Sequence, residues 1–111
     1  ISPVKSYPAN SIGLFDMAGN VWELTSDLFN VNYYNELDLS KPIVNPKGAD
    51  KHFNPNNPYQ KEYVMKGGSF LCHASYCASF RISAKMGVSV DSGSDHMGFR
   101  TVATPEMLLP K

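Results

Sequence analysis

Residues 27–62 limit most severely what this chain can fold into. Asn30, Asn32, Asn35, Asn45, Asn54, Asn56 and Asn57 are interleaved there with Pro42, Pro46, Pro55 and Pro58. Proline fixes φ and lacks an amide hydrogen, while asparagine tolerates left-handed backbone, so both favour turns over regular structure. About a third of a 111-residue chain is thereby given over to an irregular path. A connection this long is usually functional, or is tied down by contacts that local sequence does not reveal.

Regular elements must therefore come from the flanks. Residues 1–10, with Pro3 and Pro8, read as an irregular lead-in. Gly13 and Gly19 punctuate the next stretch, which excludes a long helix. Residues 16–19 are expected to make one helical turn and residues 21–25 a short strand. Residues 62–71 read as a second strand broken at Gly67-Gly68, where a bulge or the close approach of a ligand or another backbone is expected. Residues 80–86 carry mixed strand and helix signals, and residues 88–97 read as a polar Ser/Asp/Gly loop. Residues 98–103 give the clearest strand signal of the last third and are expected to close the sheet. The fold class is α+β, with short strands and much irregular loop, in at most one domain. No internal repeat or low-complexity tract occurs.

Ten Lys+Arg balance ten Asp+Glu, so the chain lacks the electrostatic footprint of a nucleic-acid or acidic-membrane binder. No apolar run approaches the roughly 18 residues that a bilayer span requires. Ile1-Ser2-Pro3-Val4 carries neither an initiator Met nor a targeting segment, so a piece of a longer chain is expected. Two cysteines are too few for a disulfide-rich secreted scaffold, and no Asn-x-Ser/Thr sequon is present.

Both cysteines lie in Lys66-Gly67-Gly68-Ser69-Phe70-Leu71-Cys72-His73-Ala74-Ser75-Tyr76-Cys77. A structural disulfide or two buried thiols is the ordinary reading of a cysteine pair. Closing so short a loop stabilises by only about 2 kcal/mol in the chain-entropy model. Zinc is disfavoured, because His52, His73 and His96 show no paired spacing around the two thiols. Two thiolates suit a soft, low-coordinate ion, of which Cu(I) is the obvious candidate, and they also suit thiol exchange. Spacing does not choose between these. Asp16, Gly19, Val21 and Glu23 form a second constellation, two carboxylates bracketing a glycine turn. Oxygen ligation of that kind suits Ca²⁺, while a capped turn leading into a strand is the plain alternative. A lone Trp22 is more often core than binding site, and Arg81 and Arg100 are more often ion-pair partners than substrate clamps.

Residues 10–24, Asn10-Ser11-Ile12-Gly13-Leu14-Phe15-Asp16-Met17-Ala18-Gly19-Asn20-Val21-Trp22-Glu23-Leu24, resemble the N-x-x-G-L-[FY]-[DN]-M-x-G-N-V-W-E-W block of the sulfatase-modifying-factor superfamily. Lys66-Gly67-Gly68-Ser69-Phe70 is similar to its [RK]-G-G-S-[WFY] block, and Gly98-Phe99-Arg100 to its terminal G-F-R. Cys72-His73-x-Ser75-Tyr76-Cys77 is similar to the segment that marks the formylglycine-generating enzymes within that superfamily, a pair that other branches generally lack. The resemblance runs over residues 8–103.

The resemblance implies a C-type-lectin-like fold in a domain well over twice this length, with residues 1–111 as its C-terminal part. It implies oxidation of a cysteine in a sulfatase Cys-x-Pro-x-Arg segment to Cα-formylglycine, with O₂ and a thiol reductant. Carried over residue by residue, Cys72 and Cys77 would bind Cu(I) as thiolates, with Ser69 catalytic beside them. Trp22, His73, Tyr76, Arg81 and His96 would line or support the peptide cleft. Asp16 and Glu23 side chains with Gly19 and Val21 carbonyls would match one of the family's two calcium sites. Neither nucleic acid nor membrane is implied as a partner.

The sequence also departs from the pattern. Leu24 replaces the second tryptophan of the W-E-W block, and His96 stands where family enzymes often carry asparagine. Ile82 and Thr101 occupy two positions that hold disulfide cysteines in animal members, so a bacterial cytoplasm or an exported setting fits better than the animal endoplasmic reticulum. The main rival is a non-catalytic lectin-like binding module of the same superfamily. A thiol oxidoreductase working by disulfide exchange explains the cysteines but not the other blocks.

Overall fold

The computed structural model describes residues 1–72 and 78–110. Four strands form one mixed sheet in the order β3-β2-β1-β4, with β1 at Trp22–Leu28, β2 at Glu62–Lys66, β3 at Met86–Ser89 and β4 at Met97–Gly98. Two single-turn 3₁₀ helices, Tyr33–Glu36 and Pro105–Leu108, are added. The described residues contain no α-helix, so the expected α+β mixture reduces to strand and loop. None of their helices is long and apolar enough to cross a membrane.

β1 pairs antiparallel with β2, Glu23 opposite Lys66 and Leu24 opposite Met65. The register then slips before Leu28 meets Tyr63, a bulge that bends β1. β2 pairs antiparallel with β3 from Glu62–Ser89 to Met65–Met86. β4 runs parallel to β1, Trp22 opposite Met97 and Glu23 opposite Gly98. The strand expected at residues 21–25 is thus present and longer, and the break at Gly67-Gly68 is where β2 ends.

Three local expectations fail for identifiable reasons. Residues 16–19 make no helical turn, because Asp16, Gly19 and Asn20 all have positive φ (56°, 78° and 61°), which no right-handed turn accommodates. Residues 88 and 89 belong to β3 rather than to a polar loop; an edge strand needs only one apolar face. The strand expected over residues 98–103 stops at Gly98, where Arg100 turns back to bond Glu23 and the carbonyls of Phe15 and Asp16.

The irregular stretch is tied to the sheet by its asparagines. Buried Asn30 donates through Nδ2 to the Lys51 carbonyl (2.9 Å) and accepts the Asn32 amide on Oδ1 (2.8 Å). Asn30 and Phe53 form an isolated bridge, as do Leu28 and Ala49. The buried Glu62 carboxylate, at the first residue of β2, accepts from Asn54 Nδ2 (2.8 Å) and Asn57 Nδ2 (2.9 Å). Asn57 also reaches Ser89 Oγ on β3 (3.1 Å). Glu62 therefore ties the loop to the edge of the sheet. Glu62→Ala is expected to destabilise the chain by about 2 kcal/mol, because the half-buried Asn54 and Asn57 amides each lose a charged acceptor. Among the described residues Asn57 then keeps only Gln60 and Ser89. A drop in the urea midpoint at unchanged m-value would show it.

Candidate active site

The candidate site forms where the end of β2 passes the start of β1. β2 terminates at Gly67 (φ 91°) and Gly68 (φ 74°), both in the left-handed region. A Cβ on Gly68 would lie 3.0 Å from the Phe80 amide nitrogen and 3.2 Å from its Cα, so the glycine pair marks the close approach of another backbone. The Gly19 amide donates to the Gly67 carbonyl (2.7 Å) and the Phe70 amide to the Asn20 carbonyl (2.8 Å). These bonds clamp the turn that precedes β1 onto the loop that follows β2.

On that clamp sits Ser69, only 4% exposed. Its carbonyl accepts the Cys72 amide (2.9 Å) and its Oγ accepts the Leu71 amide (3.3 Å), which folds the chain into a tight turn presenting half-buried Cys72. Ser69 Oγ lies 3.1 Å from His96 Nδ1, and the Phe70 ring meets the His96 ring edge-on at 6.4 Å. The Trp22 amide donates to the His96 carbonyl (2.8 Å), so the parallel β1–β4 pairing brings His96 to this corner. Ser69, Cys72 and His96 are thus assembled around the first residue of β1. The Trp22 side chain is 3% exposed and belongs to the core. Arg81 is exposed on the turn before β3 and lines a different groove, with Leu24, Phe80 and Ile82. His73, Tyr76 and Cys77 lie outside the described residues, so their expected places at the site do too.

The second constellation also converges. Asp16, Gly19, Val21 and Glu23 line a single cavity of about 500 Å³ together with Arg100. Arg100 Nε donates to Glu23 Oε2 (2.7 Å), its NH2 group pairs with Glu23 Oε1, and it reaches the carbonyls of Phe15 (3.1 Å) and Asp16 (3.3 Å). Hydrogen bonding to Glu23 raises the Arg100 pKa above its ordinary value, against a smaller opposing effect of burial. Arg100 is the ion-pair partner that its residue type suggested. Asp16 Oδ2 accepts the Lys5 amide (2.9 Å). Among the described residues no group of three or more His, Cys, Asp and Glu side chains stands ready for a metal ion. Two carboxylates with two backbone carbonyls are a donor set suited to a hard cation, but both Glu23 oxygens are engaged by Arg100, so a cation bound there would have to displace the guanidinium.

Sequence reasoning passed over Asn20 and Glu62. Asn20 exchanges bonds with the Ser2 backbone through both ends of its amide, and its carbonyl holds Phe70. Its position directly after Gly19 in a turn was the available signal. For Glu62 the signal was a lone acid at the end of an asparagine-rich loop.

The chain thus presents a loop-rich single sheet with a cysteine turn against a glycine-pair break. The family model of the sulfatase-modifying factor enzyme 1-like domain matches residues 1–105. The chain belongs to that family, whose namesakes are the formylglycine-generating enzymes. It is 43% identical over 99 residues to the formylglycine-generating enzyme of Streptomyces coelicolor, covering 89% of this chain and 28% of that protein. To the Bos taurus formylglycine-generating enzyme it is 38% identical over 102 residues, covering 92% and 24%. The inactive C-alpha-formylglycine-generating enzyme 2 of Mus musculus also matches, at 30% identity over 107 residues, covering 94% and 26%. The chain therefore spans about a quarter of the length of these relatives.

Proposed function

We propose that the chain is the catalytic, C-terminal part of one sulfatase-modifying-factor domain of C-type-lectin-like architecture. In this reading it converts a cysteine in a sulfatase Cys-x-Pro-x-Arg segment to Cα-formylglycine, with Cys72 and Cys77 as Cu(I) thiolate ligands. The observation that carries it is the seating of half-buried Cys72 on the turn of buried Ser69, whose Oγ meets His96, within a chain that retains the second cysteine.

Two thiolates are the donor set that suits monovalent copper. When bound, copper supplies the redox chemistry toward O₂ that no side chain possesses. Oxidation at Cβ removes two electrons from the substrate, water supplies the aldehyde oxygen and the sulfur leaves as hydrogen sulfide. A thiol reductant supplies the other two electrons that reduction of O₂ to water requires. The protein's part is positioning. Ser69 Oγ already accepts the Leu71 amide, so its own proton is available to His96 Nδ1 or to a substrate thiol. His73, Tyr76 and His96, with Trp22 behind them, form the peptide wall in this reading, and Arg81 supports it from the separate groove that it lines.

Incubating the protein with a Cys-x-Pro-x-Arg peptide, Cu(I), O₂ and a thiol tests the proposal. Aldehyde trapped by a hydrazide supports it; peptide binding without aldehyde supports the rival non-catalytic module. Disulfide exchange without copper would indicate a thiol oxidoreductase instead.

Ca²⁺ is proposed at Asp16, Gly19, Val21 and Glu23. At a hundred times its Kd a ligand stabilises by roughly 2.7 kcal/mol. Chelation is then expected to lower Tm by about 10 °C in a domain of this size. Asp16→Ala should abolish that response in differential scanning calorimetry, and an unchanged response would remove calcium from this site.

A further inference from the structure

A serine hydroxyl carries one hydrogen and two lone pairs. At Ser69 Oγ the Leu71 amide fills one lone pair (3.3 Å), and His96 Nδ1 lies 3.1 Å away. Among the described residues these are the only hydrogen-bond partners of a hydroxyl whose residue is 4% exposed. Were Nδ1 to carry a hydrogen, both lone pairs would be filled and the hydroxyl proton would be buried without an acceptor. Buried polar groups avoid that state. The hydroxyl therefore donates to Nδ1, the ring's own hydrogen sits on Nε2, and one lone pair of Oγ stays open. The ring is held for this role, since the Trp22 amide fixes the His96 carbonyl (2.8 Å) and Phe70 meets the imidazole edge-on. Among the described residues no carboxylate or ammonium pairs with the ring; exposed Asp95 precedes it in the chain, and Cys72 lies on the Ser69 turn. A hydroxyl so enclosed is badly placed to attack a carbonyl carbon, whereas passing a proton needs only a chain of hydrogen bonds.

We propose that His96, acting through Ser69, takes the proton of the substrate cysteine thiol. Sulfur serves a metal site as thiolate, and an unaided cysteine is only slightly ionised at neutral pH. The thiol S–H donates into the open lone pair of Oγ. Its proton moves to Oγ as the hydroxyl's own proton moves to Nδ1. The S–H bond breaks, the sulfur keeps the electron pair, the hydroxyl is restored and His96 becomes imidazolium. The step needs neither oxidant nor reductant. An imidazole protonated beforehand would instead donate from Nδ1 and fill the open lone pair, so acid shuts the relay. His96 is thus a positioning residue for the Ser69 hydroxyl and the final store of the proton. The proposal rests on the oxidase reading for the identity of the substrate.

Two measurements on the protein, His96→Asn and Ser69→Ala test this. Under argon with Cu(I) present, titration calorimetry of a Cys-x-Pro-x-Arg peptide in buffers of different ionisation heat counts the protons released on binding. At neutral pH the parent is expected to release almost none and each variant about one. With O₂ and a thiol reductant, each variant is expected to turn over about thirtyfold more slowly at neutral pH. That deficit should narrow as pH passes the ordinary thiol value of about 8.5, where thiolate forms unaided. The double variant should be no slower than either single one, because the two residues act as a unit. A merely structural role would leave the deficit constant with pH. Equal proton release by the parent and His96→Asn, or parallel pH profiles, overturns the proposal. A parent that retains the proton yet makes no aldehyde supports the role of His96 and counts against the oxidase reading alone. A parent that does not bind the peptide removes both.

Discussion

Cys72→Ala and Cys77→Ala are each expected to leave less than about one per cent of peptide oxidation, since losing a metal ligand exceeds the roughly 10–100-fold effect of an outer-shell partner. The reason lies in coordination number. Two sulfurs hold a soft ion as a pair, and one sulfur does not hold it selectively against thiol reductant. Folding should be little changed, because Cys72 contributes to the Ser69 turn through its backbone amide, which alanine retains. Equal loss in both variants at unchanged Tm separates a ligand role from a structural one. Full turnover in either variant would remove the copper–thiolate assignment, whereas Ser69→Ala is expected to reduce turnover without eliminating copper binding.

Gly68→Ala is expected to produce the largest stability loss of any single methyl addition near the site, about 3 kcal/mol. Two penalties combine. The backbone at residue 68 has φ 74°, which an L side chain rarely adopts, and the new Cβ would press within 3.0 Å of the Phe80 amide nitrogen. Neither neighbour can swing aside, because the nearest atoms are backbone and not the end of a flexible side chain. A fall in Tm, with turnover lost before global unfolding, would be the signature. Gly13→Ala meets no atom within 4 Å of its added Cβ and carries only the backbone penalty of its positive φ, so it serves as the comparison. If the two variants lose equal stability, the close approach of Phe80 contributes nothing.

The parts of this fold that were legible in sequence are those written by short-range chemistry. The Gly67-Gly68 break, the strand beginning near Trp22 and the irregular course of residues 27–62 each follow from residue types acting on their own backbone. The parts that were not legible depend on partners far along the chain. Residues 88 and 89 look like loop until Tyr63 and Glu62 are seen to pair with them across the sheet. Residues 99–102 look like strand, yet β1 offers β4 only Trp22 and Glu23, and Phe99 and Val102 remain 76% and 89% exposed. Asp16 reads as the start of a helical turn, but Lys5 and Arg100 hold it from two directions in left-handed backbone.

The site divides in the same way. Cys72 and Ser69 lie three residues apart, and their turn is local. The 3.1 Å contact between Ser69 and His96 spans 27 residues and exists because β4 runs parallel to the start of β1. No periodicity in the sequence announces that pairing. The Asp16–Glu23 cavity was foreseeable from one turn, whereas the cation that lies against Glu23, the Arg100 guanidinium, comes from the far end of the chain.

The proposal that Cys72 and Cys77 share one copper ion is tested most directly by titrating the protein with Cu(I) against a colorimetric chelator, in parallel with Cys72→Ala and Cys77→Ala. One equivalent withdrawn from the chelator by the parent protein, and none by either variant, is the expected result. Undiminished copper binding by a single-cysteine variant, or no binding by the parent, would contradict it.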